Sequence, residues 1–101
     1  MTTGIDWLRI EGCTIEFQLT PTQTITPEIL PKVVEAVYKA FVGQKCQIIK
    51  VTGRGPIWLY SAVVHAVAHL TPAVAVFDAV GKRFVIVVSH APEYKVGQVI
   101  E

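Results

Sequence analysis

The stretch Gly53-Arg54-Gly55-Pro56, inside VTGRGPIWLY, sets a cation between two glycines where a β-branched run gives way to a proline. Glycines let a backbone approach a ligand closely, and the free N–H groups and dipole of a helix start favour an anion. An arginine adds a bidentate clamp for a phosphate. The spacing is neither GxxxxGK[ST] nor GxGxxG, so two readings stand together. Gly53, Arg54 and Gly55 form an anion seat, or they form a tight strand–helix turn with a solvated arginine. Trp58 follows, placed to stack on a base or to pack against core or a neighbouring chain. His65 and His69 are four residues apart, the spacing at which two helical histidines hold one metal, but no acidic residue follows either closely. Surface histidines explain that pair equally well. His69 ends the apolar run, where a helix C-terminus favours a cation, and that suits a general acid or a phosphate contact. Asp78 closes AVAVFD; its carboxylate can bind a metal, act as a base, or simply start the turn through Ala79-Val80-Gly81-Lys82. Lys82 and Arg83 come directly after it, as ligand contacts or as a solvated turn.

These side chains need elements to hold them. Residues 5–10 and 14–19 flank Glu11-Gly12-Cys13, and Ile15, Phe17 and Leu19 alternate with Glu16 and Gln18, so the pair reads as a hairpin with a half-buried second strand. Thr26 and Pro27 start a helical segment that Pro31 complicates; from Pro31 to Phe41, Val33, Val34, Val37, Tyr38 and Phe41 mark an apolar stripe, with Gly43 as its cap. Residues 46–51 are a short buried strand. Pro56 opens a second helix reaching about Leu70, with Ile57, Ser61, Val64 and Ala68 expected to face the sheet. Residues 73–77 are a strand covered on both faces, residues 83–89 return as another, and the remainder is a short tail.

The order β-β-α-β-α-β-β predicts an α/β fold: a small Rossmann-like sheet with a parallel centre, antiparallel additions and two main helices. In such sheets ligands bind beyond the carboxyl ends of the strands, the edge where Arg54, Asp78 and Lys82 gather. A helix over 56–70 runs back across the sheet, so His69 belongs to the opposite edge, one strand length or ~17–20 Å from Asp78. If both serve one reaction, different subunits must bring them together.

The totals set limits. A chain of 101 residues reads as one domain with one core. With 51% hydrophobic and 17% charged residues it is globular, and some apolar surface is expected to be buried in an oligomer. A net charge of +1 gives no broad field for DNA but allows a local basic patch. Cys13 and Cys46 lack metal spacing; they are read as a reduced, partly buried pair, which points to the cytoplasm, with one bridge as the alternative. MTTGIDWLRI lacks a basic start and a long apolar run, so no signal peptide is expected, and no stretch approaches the ~18 apolar residues of a membrane helix.

GRGPIWLYSAVVHAVAHLTPAVAVFD, followed by VIVVSHAPEYKVGQVIE, resembles the small CRISPR-associated ring nucleases of type III systems. The resemblance is close over about residues 50–101, and the first half agrees in the order of its elements. It implies a CRISPR-associated Rossmann-like domain that forms homodimers and binds cyclic tetra-adenylate or a short RNA. It further implies that two dimers clamp the ring and cleave it with manganese, through residues from facing dimers. His69 matches the family's catalytic histidine, and Asp78 its catalytic, metal-binding aspartate. The family continues FD with Pro-Arg-Leu-Gly, whereas this chain has Val80 at the position of that arginine. Lys82 or Arg83 is then a substitute, or cleavage is weak and the chain is a non-catalytic sensor of the ring. A plain oligomerisation domain explains the apolar content but not the charges at one edge. Some members are fused to an ATPase domain, so 101 residues also fits an excerpt of a longer chain.

Overall fold

The computed structural model of the chain describes residues 3–101. The strands are β1 (Leu8–Glu11), β2 (Thr14–Gln18), β3 (Ile48–Arg54), β4 (Ala73–Asp78), β5 (Arg83–Ser89) and β6 (Val99–Ile100). The α-helices are α1 (Leu30–Phe41), entered through a 3-10 turn at Pro27–Ile29, and α2 (Ile57–Val67). All six strands form one sheet in chain order. β2, β3 and β4 run parallel, and antiparallel pairs join β1 to β2, β4 to β5 and β5 to β6. This is the small Rossmann-like α/β arrangement expected, with one extra strand: β6 lies in what reads as a tail.

Right-handed crossovers between neighbouring strands in chain order put both helices on one face, where α1 and α2 pack together. Pro31 sits in the first turn of α1, where its missing N–H leaves no helical bond unmade. Val33, Val37 and Phe41 of α1 and Leu59, Val63 and Val67 of α2 are at most 1% exposed against Ile15, Phe17, Ile49, Val51 and Val74 of the sheet. Each such side chain contributes roughly 1.5–3 kcal/mol. A second, smaller cluster closes part of the other face: Ala73, Ala75 and Ile86 lie under Tyr94 and Ile100 of the C-terminal segment. β4 is therefore covered on both faces over Ala73–Ala75 only, and Phe77 is exposed.

Two expectations are corrected here. The sheet-facing side of α2 is Leu59, Val63 and Val67; Ile57 is 86% exposed, and Ser61 faces solvent. The helix is apolar nearly all round, so its period alone does not select a face. The cysteines are not reduced: Cys13 and Cys46 form a disulfide. The bond ties the β1–β2 turn to the segment before β3, both at the amino end of the parallel strands. The argument from free thiols to the cytoplasm falls with it. Among the described residues no helix is long and apolar enough to cross a membrane.

Candidate functional site at two edges of the sheet

β3 runs to Arg54, three residues further than its apolar run, so Gly53 and Arg54 are strand residues paired with Phe17 and Gln18 of β2. Gly53 has φ +103°, and a Cβ there would stand 2.2 Å from the Phe17 carbonyl oxygen. The sheet itself demands glycine at this position. At Gly55 a Cβ would meet Leu59 Cδ2 at 2.9 Å and Phe17 Cδ2 at 3.2 Å, the cost of turning from strand to helix in little space. The Arg54 side chain is exposed and has no carboxylate partner among the described residues. Beside it, α2 begins with Pro56 at its N-cap and no capping side chain; the Leu59 N–H bonds the Pro56 carbonyl at 3.0 Å, which leaves the N–H groups of Ile57 and Trp58 without helical partners among the described residues. Tyr60 donates to the Gly53 carbonyl at 2.5 Å, and burial pushes its phenol pKa up.

Around these residues the surface is hollow. A depression of about 410 Å³ is lined by Thr52, Gly53, Arg54, Gly55, Phe77 and Ala79. It shares Gly53, Gly55, Phe77 and Ala79 with a groove of about 500 Å³ that continues along Ile57, Tyr60, Ser61 and Val64 of α2. The depression lies at the carboxyl ends of β3 and β4, where ligands bind in open α/β sheets. Trp58 is half-buried and packs against the helix-side core.

Asp78 stands between Phe77 and Ala79 and heads the β4–β5 turn. Its Oδ1 accepts from the Val80 N–H at 3.1 Å, and its Oδ2 accepts from Arg83 Nε at 3.2 Å. The Gly81 N–H, the Arg83 guanidinium and the Val80 N–H together hold its carboxyl below the ordinary range, against a smaller opposing effect of desolvation. Asp78 is thus a turn-heading carboxylate paired with a cation. A Cβ at Gly81 would come within 2.5 Å of Arg83 Nε and 2.9 Å of Asp78 Oδ2, so glycine there leaves room for the pair. Val80 is 97% exposed. Lys82 is exposed at the tip of the turn with φ +53°. Among the described residues no group of three His, Cys, Asp or Glu side chains could hold a metal. With both Asp78 oxygens engaged, the residues of one chain do not fit a manganese site.

The opposite edge carries the histidines. α2 ends at Val67, so His69 lies in the following turn, and His65 and His69 no longer share one helical face as a metal pair. The exposed His69 ring stacks on His90, with centroids 5.0 Å apart and planes at 26°. His90 follows β5 and anchors its N–H on the Pro72 carbonyl at 2.8 Å. Sequence reasoning did not single out His90. The signal lay in the hairpin topology, because a strand antiparallel to 73–78 must end where His69 stands, and in the SHAPEYKVG run that contains it. The structure therefore sets Gly53, Arg54 and Gly55 at the hollow, with Asp78 and Lys82 in the β4–β5 turn of the same edge but outside the hollow's lining, and leaves His69 at the other edge.

A six-stranded α/β sheet with a parallel centre, antiparallel edges and a hollow lined in part by Arg54 at its carboxyl edge defines a small Rossmann-like domain. The family described as CRISPR-associated protein (Cas_csx3) matches residues 18–101. An uncharacterized protein of Aquifex aeolicus (strain VF5) is 40% identical over 89 residues, covering 86% of this chain and 75% of that protein. The chain belongs to the CRISPR-associated Cas_csx3 family.

Proposed function

We propose that this protein binds cyclic tetra-adenylate between facing homodimers and linearises it, removing the signal of type III CRISPR defence. The observation that carries the reading is the meeting, at one sheet edge, of the hollow, of Arg54 with no carboxylate partner among the described residues, beside a helix start without a side-chain cap, and of the Asp78–Arg83 pair. A ring with several phosphates suits two such edges related by symmetry. In the reaction one P–O bond of the ring opens, phosphorus gains an oxygen nucleophile, and the leaving oxygen takes a proton. His69 of a facing subunit is the group to deliver that proton. Arg83, held by Asp78, supplies the positive charge that Val80 cannot, stabilising the crowded phosphate. Manganese enters only through the resemblance. Among the described residues of one chain no group of three or more His, Cys, Asp and Glu side chains offers it a donor set. Such a role belongs in the cytoplasm, where the disulfide would have to withstand thiol reductants; the burial of Cys46 favours that.

A second reading, a sensor that binds the ring without cutting it, is favoured by Val80 and by the engaged oxygens of Asp78. Incubation of stoichiometric protein with cyclic tetra-adenylate, with and without Mn²⁺, separates the two. Linear products support the nuclease, and bound but intact ring leaves the sensor.

A further inference from the structure

The turn between α2 and β4 gives His69 little of its own to hold it. The ring is exposed, and no hydrogen bond fixes either of its nitrogens among the described residues. An exposed imidazole otherwise samples several rotamers, which is a poor state for a group that must deliver a proton along one line. What does restrain it is the His90 ring. Stacked rings at 5.0 Å and 26° lie within the separations at which flat side chains attract beyond simple burial.

The backbone of His90 is anchored, although its ring is exposed like that of His69. Its N–H bonds the Pro72 carbonyl at 2.8 Å, three residues from His69 and on the same side of the sheet. Ser89, just before it, donates to the carbonyls of Tyr94 at 2.7 Å and Ala91 at 3.0 Å, closing the turn that follows. On the other side Thr71, buried, donates to the Cys46 carbonyl at 2.9 Å and so pins the segment carrying His69. Two anchored backbones thus meet, and their imidazoles meet face to face.

We propose that His90 is the positioning residue of His69: by stacking, it fixes the plane in which the His69 imidazole faces the phosphate of the facing subunit. The inference rests on His69 being catalytic, but the geometric part can be read without catalysis. Three full-length proteins are compared, native, His90→Ala and His90→Phe, each first shown to melt as the native protein does. In single-turnover cleavage of cyclic tetra-adenylate, His90→Ala slows the chemical step on the order of ten- to a hundredfold. Ring affinity stays within about twofold, because the proposed anchors lie at the other edge. His90→Phe keeps a flat ring in the stack and recovers most of the rate. Native rate in His90→Ala overturns the proposal. So does His90→Phe being as slow as His90→Ala, since the imidazole's chemistry and not its stack would then be required. Proton NMR supplies the arm independent of activity: the His69 ring resonances shift in His90→Ala and return toward their native positions in His90→Phe. Resonances unmoved by His90→Ala contradict the stack even if the native protein binds the ring without cutting it. If His69→Ala cleaves as fast as native protein while those resonances do shift, the catalytic reading of His69 fails and the stack stands.

Discussion

At Gly53 the backbone dictates the residue type, because a side chain would sit 2.2 Å from the Phe17 carbonyl oxygen. The glycine was legible as special in the sequence, but its cause is the neighbouring strand rather than a ligand. Arg54 is different: it is exposed at the edge of a hollow with no carboxylate partner among the described residues, so no ion pair accounts for a cation there. Arg54→Ala should weaken binding of cyclic tetra-adenylate about tenfold or more, the worth of ~1.5 kcal/mol for a charge-assisted contact, with little change in the melting curve. An isothermal titration showing native affinity removes Arg54 from the site. Asp78 carries a stability signature of its own. Its carboxyl titrates lower in the folded chain than in the unfolded one, chiefly through the Gly81 N–H and then through Arg83 and Val80. Its contribution is therefore present above the ordinary carboxylate range and lost as pH falls below about 4. Urea unfolding followed down in pH should show Asp78→Asn less stable than native protein near neutrality, and less sensitive to acid. Parallel acid profiles count against the engaged carboxylate.

The elements divide into those their pattern announces and those it does not. The alternation of Ile15, Phe17 and Leu19 and the stripe of Val33, Val37 and Phe41 each match a buried face. α2 has no such contrast, and tertiary packing chose Leu59, Val63 and Val67 over the stripe read from spacing. The extension of β3 through Gly53 and Arg54 was hidden because glycine and arginine do not look like strand residues. β6 was hidden because two residues are too few to show a period. The disulfide depends on spatial approach, and a separation of 33 residues carries no trace of it. It should nonetheless matter greatly for stability. Closing a loop of that length in the unfolded chain predicts that Cys46→Ser, or full reduction, costs about 3–4 kcal/mol. A denaturation midpoint unchanged by a strong dithiol reductant, with thiols shown to be free, contradicts that estimate.

For the molecule as a whole, the topology fixes what a single subunit can do. β4 carries Asp78 at its carboxyl end, and the turn before β4 carries His69, so the length of one strand separates the two. That separation was legible from the element order alone, because a helix between parallel strands must return to the starting edge. The stacked partner His90 was not, nor was the choice of Arg83 over Lys82 as the cation paired with Asp78. Both depend on how the β4–β5 hairpin and its flanking turns close in space. The central claim, a composite site built from two edges of different subunits, is tested most directly by mixing two inactive proteins. His69→Ala and Asp78→Ala should each slow cleavage of cyclic tetra-adenylate by roughly a hundredfold or more. An equimolar mixture should recover roughly a quarter of native activity, the share of random pairings that unite an intact His69 with an intact Asp78. A mixture no faster than its components, with both variants folded and binding the ring, contradicts the shared site.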